Sequence, residues 1–106
     1  GRAVSNLAVV TEVSYLLDFS RRAQLDFWQW VRHGALVLIE PEAADWDRML
    51  ELLQKYADIA MDFTDATLVA LCERLGTRDI ASVDSDFTVY RYRNRQTFRN
   101  LFFDDV

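Results

Sequence analysis

The sequence predicts an α/β domain built on a mostly parallel sheet, and two observations lead to this fold class. Segments with apolar residues three or four positions apart, typical of helices, alternate with short runs rich in Val, Ile and Leu, typical of buried parallel strands. The chain has 106 residues, of which 51% are apolar and 13% aromatic, enough to bury one core. No repeat or Gly/Ser linker interrupts it, so residues 1–106 are expected to form a single domain.

The N-terminal part predicts two short strands with two helices between them. A strand at residues 2–4 is followed by a helix that either Ser5 or Asn6 can cap, and Ser20 can cap a second helix. Residues 35–39 form the next strand. The apolar positions at helical spacing are Val9, Val10, Val13, Leu16 and Leu17 in the first helix, then Ala23, Phe27, Trp30 and Val31 in the second.

The C-terminal part predicts two further helices and two short strands. Pro41 suits the first turn of the third helix, and Thr64 can cap a fourth over residues 65–75. The fourth helix is apolar on most sides, so it should be nearly buried. Residues 80–83 and 88–90 are predicted strands. The inward positions of the third helix are Trp46, Met49, Leu50, Leu53 and Ala57, and glycine-terminated helix ends are predicted at Gly34 and Gly76.

Three acidic residues are the candidate catalytic and metal-binding residues. Asp65 lies in the first turn of the fourth helix, where the macrodipole favours the ionised form, and Asp84 ends the strand that follows. Ligands of parallel sheets bind at the carboxyl ends of the strands, so Asp65 and Asp84 are expected side by side. With Glu12 they outline an oxygen-rich pocket of the kind that holds Mg²⁺ or Mn²⁺ and cleaves phosphodiesters.

Other residues near these acids are candidates for supporting roles. Asp86 is a further possible metal ligand, and Asp62 and Ser82 are expected to support the ligands by hydrogen bonds. Each acid also has a purely structural interpretation. Glu12 is then a solvent-facing helix residue, Asp65 a charge at a helix entrance and Asp84 a turn residue, with Ser82 a buried hydroxyl bonded to the backbone.

The composition excludes several kinds of site. One cysteine rules out an internal disulfide or a thiolate zinc site, and one histidine rules out imidazole-rich metal chemistry. Cys72 is expected in the core, and His33 is expected to complement a helix end. The longest apolar runs are too short to cross a bilayer and no leader pattern opens the chain, so we expect a cytoplasmic protein with no membrane segment.

The formal charge of −5 opposes nucleic-acid binding except at a local basic face or through bound cations. One such stretch exists, because no acid lies between Phe87 and Phe103. Arg91, Arg93 and Arg95 are the candidate RNA-binding residues there. The alternative is a solvated edge whose aromatics pack on the body. The interleaved residues are Arg91, Arg93, Arg95 and Arg99 with Tyr90, Tyr92, Phe98 and Phe102.

Three segments resemble the PIN-domain family, and within it the VapC-like toxins of toxin–antitoxin systems. They are TEVSYLL (11–17), DFTDATLVALCERLGTRDIASVDSDF (62–87) and VYRYRNRQTFRNLF (89–102), in the family's order. The resemblance implies a three-layer α/β/α fold and a Mg²⁺- or Mn²⁺-dependent ribonuclease that a VapB-like antitoxin inhibits. It matches Glu12, Asp65 and Asp84 to the second, third and fourth acidic positions of the family site, with Ser82 in the final strand motif.

One departure from the family has structural consequences. In the family the first acid ends a central strand, followed by a helix, and nothing before Glu12 is acidic here. We therefore expect an N-terminally truncated PIN-like domain that lacks the first central strand and first helix. Two strands would be left with backbone groups that a neighbouring chain, a rearrangement or water must pair, and a homodimer or swapped assembly is expected to fill the gap. Nuclease activity is expected to be impaired.

Rival interpretations of the acidic segment are weaker. DSDFTV (84–89) resembles the motif of aspartyl-nucleophile phosphatases, with Asp104 and Asp105 as a late acidic pair, but those enzymes need a lysine after it. A response-regulator receiver needs a lysine at a strand end, whereas Lys55 lies in a predicted helix. The remaining alternative is a non-catalytic PIN-like module that binds an antitoxin or RNA without cleaving it.

Overall fold

A computed structural model describes residues 2–103, except for the side chains of residues 85 and 86. The described chain has four α-helices and a four-stranded parallel sheet, so the predicted α/β class is confirmed. The elements are β1 (Ala3–Ser5), α1 (Leu7–Leu16), α2 (Arg21–Arg32), β2 (Leu36–Leu38), α3 (Asp45–Lys55), α4 (Phe63–Leu75), β3 (Asp79–Ile80), β4 (Arg91–Tyr92), β5 (Gln96–Thr97) and β6 (Arg99–Asn100), with 3₁₀ turns at Ala57–Ile59 and Ser85–Thr88.

The parallel sheet has the strand order β2-β1-β3-β6, and β4 pairs with β5 in a separate antiparallel hairpin. Because all four strands of the larger sheet are parallel, β1, β3 and β6 end at the same edge. Residues that directly follow these strands are therefore neighbours in space. This carboxyl edge is where a ligand site is expected in an open α/β sheet.

The expected gap in the middle of the sheet is absent from the described residues. The amide of Ala81 donates to the carbonyl oxygen of Val4 at 2.9 Å, so β3 pairs directly with β1. The Ser5 hydroxyl donates to the carbonyl oxygen of Ala81 at 2.9 Å and extends this contact beyond the short ladder. The strands on either side of the expected gap therefore pair with each other, and no swapped partner strand is needed to fill a gap there.

Helices pack on both faces of the sheet because alternate strand residues point in opposite directions. Val4 and Ile80 belong to a large apolar cluster with the buried residues of α3 and α4. Ala3, Leu36 and Ala81 form a smaller cluster on the other side, against which Val31 of α2 packs. Cys72 lies in the large cluster, as predicted, and burial raises the pKa of its thiol.

Two partly buried ion pairs fix α3 against α4. Arg48 donates to both carboxylate oxygens of Glu73 at 2.7 and 3.0 Å, and Arg74 donates to both oxygens of Asp45 at 3.1 Å. Glu73 also accepts from the backbone amide of Arg93 at 2.8 Å, which attaches the β4–β5 hairpin to α4. Bidentate pairs of this kind set orientation as well as adding attraction. They therefore hold the C-terminal end of α4 against α3.

Several predicted boundaries were wrong for local reasons. The cap of α4 is Asp62 instead of Thr64, because the Asp62 carboxylate accepts from the amide of Asp65 at 2.9 Å. The third helix begins at Asp45, several residues after Pro41. Residues 85–88 form a 3₁₀ turn that overlaps the strand predicted at 88–90. The predicted stop at Gly76 is confirmed, since this residue has a φ of 73° that favours glycine.

Helices α1 and α2 lie at the outside of the domain. Only Val9 is buried in α1 and no residue is fully buried in α2. The predicted inward residues of α2 are only partly covered, although Trp30 contacts Phe102 with ring centroids 6.3 Å apart. Within residues 2–103, none of the helices combines the length and the apolar character needed to span a bilayer.

The β1–β3 contact gives a stability prediction. Replacing the buried Ser5 by Ala removes its hydrogen bond to Ala81 and leaves that carbonyl group without this donor. We expect Ser5→Ala to lower the free energy of unfolding by about 1–2 kcal/mol in urea titrations. Thr11→Ala is the matched control, because the Thr11 hydroxyl bonds only within an exposed helical turn. Equal stability of the two variants would contradict direct β1–β3 pairing.

Candidate functional site

Polar residues follow three neighbouring strands at the carboxyl edge of the sheet. Ser5 and Asn6 end β1, Ser82 follows β3 and Asn100 ends β6, and all four are buried. The amide of Ser82 donates to Asn100 Oδ1 at 3.1 Å, and Asn100 Nδ2 donates to the Ser82 carbonyl oxygen at 3.1 Å. This side chain thus continues the pairing of β3 with β6 where the backbone ladder ends, and it fixes the start of the loop that carries Asp84.

Asp65 reaches this edge from the first turn of α4. It forms a capping box with Asp62, in which each carboxylate accepts from the backbone amide of the other residue, at 2.9 and 3.4 Å. The capping box orients the Asp65 side chain because one of its oxygens is held at the helix end. Only 2% of Asp65 is exposed, so a carboxyl group is placed in a largely water-excluded position.

The carboxyl groups of Asp65 and Asp84 are joined by a hydrogen bond. Asp84 is held by its backbone, since its amide donates to the Ser82 hydroxyl at 3.0 Å. The Tyr90 hydroxyl donates to Asp65 Oδ2 at 3.1 Å from a fully buried position. The structure therefore brings together Asp65 and Asp84, two of the three acids that the sequence singled out, and fixes both from several directions.

The pKa of Asp65 is raised to about 8. Burial is the largest cause, followed by the hydrogen bond that the protonated Asp65 carboxyl donates to Asp84 and by the negative charges of Asp62 and Asp84, while the hydrogen bond from the Asp62 amide opposes the shift. The helix macrodipole favours the ionised form of Asp65, but without a cation the burial and the neighbouring acids outweigh it. Near neutral pH, and with no cation nearby, the Asp65–Asp84 pair retains one proton.

The donor set of the pair fits a hard divalent cation. Mg²⁺ is commonly bound by one or two carboxylates, with water and substrate phosphates as its other ligands. Two carboxyl groups that share a proton offer the same oxygens to a cation once that proton leaves. Asp65 and Asp84 are the residues that would hold Mg²⁺ or Mn²⁺. Asp62 is occupied as the cap of α4, and its amide donates to the Asp65 carboxylate.

Glu12 is not grouped with Asp65 and Asp84 in the described part of the chain. It is exposed in the middle of α1, and no hydrogen bond or ion pair is recorded for its side chain. In the described part of the chain, no three acidic, histidine or cysteine residues are grouped so as to hold a metal ion. The side chain of Asp86 and the whole of Asp104 and Asp105 lie outside the described residues.

The arginines Arg91 and Arg93 of the basic segment bind backbone carbonyl oxygens within the domain. Arg91 donates to the carbonyl oxygens of Thr88, Val89 and Tyr90 at 2.8–3.0 Å, and Arg93 donates to the Glu73 carbonyl oxygen at 3.2 Å. Arg95 is exposed, and no side-chain contact is recorded for it among the described residues. Of the interleaved aromatics, three are buried in the large cluster and are unavailable for stacking on bases: Tyr90, Tyr92 and Phe98.

Sequence reasoning missed three residues of the site. Tyr90 was predicted either to stack on bases or to pack on the body of the domain, and neither prediction included the contact of its hydroxyl with Asp65. Asn100 was not considered, although an Asn in an apolar strand is a signal of a buried hydrogen-bonding role. Asn6 was considered only as a helix cap, a role that is confirmed by its bond from the Val9 amide at 3.0 Å. It also places a neutral side chain at the end of β1.

No protein-family model matches the sequence, and no curated protein matches it significantly. Membership of the PIN-domain family therefore stays a prediction from the sequence motifs.

The raised pKa of Asp65 predicts how stability depends on pH. The native state keeps a proton that the unfolded chain loses near pH 3.8, so this group's contribution falls between about pH 4 and pH 8 and is lost above that. Asn at this position mimics the protonated group but cannot ionise. We expect Asp65→Asn to match the wild type near pH 4 and to become progressively more stable than it up to about pH 8.

The measurement is urea unfolding at several pH values in the presence of EDTA. Asp18→Asn is the matched control because Asp18 is exposed and has no recorded partner. A stability difference between Asp65→Asn and the wild type that stays constant with pH would contradict the raised pKa.

Proposed function

We propose that this chain is a metal-dependent ribonuclease domain of the PIN type, which cleaves RNA phosphodiester bonds at the Asp65–Asp84 pair. The observation that supports the proposal is the hydrogen-bonded contact of two carboxyl groups at the carboxyl edge of a parallel sheet. Carboxyl groups whose pKa is strongly shifted by burial and by a neighbouring acid cluster at functional sites. The sequence motifs that resemble the PIN family include both residues.

Each residue of the site has a role in this proposal. Asp65 and Asp84 hold the Mg²⁺ or Mn²⁺ ion, Asp62 and Tyr90 orient the Asp65 carboxylate, and Ser82 positions the backbone of Asp84. The bound cation supplies Lewis acidity toward the scissile phosphate. It also offsets the net charge of −5, which otherwise repels RNA. The VapB-like antitoxin, the RNA substrate and the cytoplasmic location stay predictions from the resemblance and the composition.

A non-catalytic PIN-like module that binds RNA or an antitoxin is the second candidate, and two observations favour it. The strand β1 ends in the neutral residues Ser5 and Asn6, whereas the family has an acid at the end of a central strand. Glu12 is exposed on α1 with no recorded contact to Asp65 or Asp84. Fewer carboxylates hold a cation less tightly, and a misplaced catalytic group costs orders of magnitude in rate.

The cleavage prediction separates these two candidates. We expect the chain to cut a structured RNA only slowly in Mn²⁺ or Mg²⁺, because its activity is expected to be impaired, and Asp84→Asn to lower that rate at least ~100-fold because it removes a ligand from a two-carboxylate site. Asp65→Asn should have the same effect. The measurement is cleavage of end-labelled RNA, with folding of every variant checked by circular dichroism.

Asp47→Asn is the matched control, since Asp47 is an exposed carboxylate on α3. Cutting that is equal in all variants would identify a contaminating nuclease. RNA binding without any cutting would favour the non-catalytic module. A loss of cutting in Glu12→Gln would assign Glu12 to the working site as well.

Metal binding can be measured without any activity. A cation must displace the proton shared by Asp65 and Asp84, so we expect Mn²⁺ to bind more tightly at pH 8.5 than at pH 6 and to raise the melting temperature more at the higher pH. Electron paramagnetic resonance of free Mn²⁺ and thermal melting are the measurements. Asp84→Asn should abolish both effects, whereas Asp47→Asn should not. Mn²⁺ binding that is the same at both pH values would contradict the shared proton.

A further inference from the structure

Asn6 is almost completely buried at the carboxyl edge of the sheet, but only the oxygen of its side chain is used in a hydrogen bond. This side chain caps α1, since Oδ1 accepts from the backbone amide of Val9 at 3.0 Å. The amide nitrogen Nδ2 carries two N–H donors. Neither donor has a partner in the described part of the chain, although only 1% of Asn6 is exposed. Asn6 therefore brings an unused donor to this edge of the sheet.

The unused nitrogen is a part of Asn6 that reaches solvent. Among the described residues that are not exposed, every side-chain nitrogen or oxygen that is closed off from solvent has a hydrogen-bond partner. Because Nδ2 has no partner, it is not closed off, and the small exposed area of Asn6 includes this atom. A donor left without any acceptor at such a place costs free energy, so a ligand or a water molecule is expected to bind there.

The strand register places Asn6 on the face of the sheet that carries α4. In the parallel pair of β1 and β3, Val4 is paired with Ile80, so Asn6 lies beside Ser82 two residues further on. Val4 and Ile80 both belong to the large apolar cluster that includes the buried residues of α4. Asn6 has an extended backbone, with φ −144° and ψ 174°, so its side chain points to the same side as that of Val4.

The two acids of the site belong to the same face and the same edge. Asp65 lies in the first turn of α4, and its carboxyl group is hydrogen-bonded to that of Asp84. The loop of Asp84 starts from Ser82, whose hydroxyl accepts from the Asp84 amide at 3.0 Å. Neighbouring strands are about 4.8 Å apart, so Asn6 is one strand spacing from the start of this loop. The Asn6 amide and the two carboxyl groups thus come from three separate segments to one end of the sheet.

The unused donor of Asn6 fits an anion that binds together with a cation. Because Oδ1 is engaged by the Val9 amide, the group that reaches solvent can donate a hydrogen bond but cannot ligate a metal ion. The two acids repel an anion unless a cation neutralises them. A phosphodiester satisfies both conditions, since its non-bridging oxygens accept hydrogen bonds and also bind divalent cations. A donor fixed in position also stabilises the charge that develops on a phosphate during cleavage.

We propose that Asn6 is a substrate-binding residue, whose Nδ2 donates to a non-bridging oxygen of the RNA phosphodiester held at the Asp65–Asp84 site. The inference rests on the proposed function and assigns a residue to the phosphate. Capping of α1 does not account for an amide at this position, because aspartate caps helices as well as asparagine does. An aspartate here would keep the bond from the Val9 amide, but it would lack the donor and would repel the phosphate.

The test uses two variants of the full chain that keep a capping oxygen and lose the donor, Asn6→Ser and Asn6→Asp. RNA affinity is measured by fluorescence anisotropy of a labelled structured RNA in Mn²⁺ and in EDTA, and gels of the same samples show that the RNA is intact. Mn²⁺ affinity without RNA is measured by electron paramagnetic resonance. Gln29→Glu is the matched control, since it exchanges an amide for a carboxylate at an exposed position of α2. Circular dichroism shows whether each variant folds.

We expect the wild type to bind RNA more tightly in Mn²⁺ than in EDTA. Asn6→Ser should lower the affinity in Mn²⁺ at least ~tenfold, the usual effect of losing a hydrogen bond to a charged group. Asn6→Asp should lower it further because it adds a repelling charge. Mn²⁺ affinity should not fall in either variant, and Gln29→Glu should leave both affinities unchanged. A purely structural cap would leave the RNA affinity of all these variants equal.

The outcomes separate this inference from the proposed function. Equal RNA affinity of the wild type, Asn6→Ser and Asn6→Asp in Mn²⁺ would overturn the inference and leave the metal site intact, with Nδ2 binding only water. Loss of Mn²⁺ binding in Asn6→Ser would also overturn it, because Asn6 would then support the cation. A wild type that binds no Mn²⁺ would overturn the ribonuclease proposal and this inference with it. Metal-dependent RNA binding that requires Asn6, without any cutting, would support the inference and contradict only the ribonuclease activity.

Discussion

The contact between the Asp65 and Asp84 carboxyl groups is the constraint on which the site depends. Two carboxylates cannot both be ionised in a buried contact without a compensating positive charge. The structure resolves this conflict with a proton, since the pKa of Asp65 is raised from 3.8 to about 8. The macrodipole of α4 acts in the opposite direction, but its typical contribution of about 0.3–1 kcal/mol equals less than one pKa unit. Burial and the neighbouring acids therefore determine the charge of the pair.

The rest of the fold keeps these two acids in contact. Asp65 projects from a helix whose central residues are almost all buried, so α4 cannot shift without disturbing the large apolar cluster. The ion pairs of Arg48 and Arg74 fix the orientation of that helix against α3. On the other side, Asn100 and Ser82 fix the loop that carries Asp84. Each carboxyl group is thus positioned by elements that are distant from each other in the sequence.

The sequence predicted the parts of this structure that depend on local patterns. The helical periodicity of α1 to α4, the caps at Asn6 and Ser20 and the stop at Gly76 follow from residues close together in the chain. The strands were predicted less well, because β3 and β6 have two residues each and are defined by their partners. The direct β1–β3 pairing is a property of the assembled sheet, and no local pattern predicts it. The contact between the Tyr90 hydroxyl and Asp65 is also a property of the assembled fold, and no local pattern predicts it.

The protonated pair also explains how an acidic protein can keep such a site before a cation or substrate arrives. If both acids were ionised, their repulsion would oppose the packing of α4 against the sheet edge, and the apolar cluster would have to overcome it. The shared proton removes that repulsion and preserves the geometry of the oxygens. The carboxyl oxygens are therefore already in position when a cation replaces the proton, so cation binding requires little rearrangement. Proton and metal are therefore alternative means of neutralising one pair of charges, and the fold supports either.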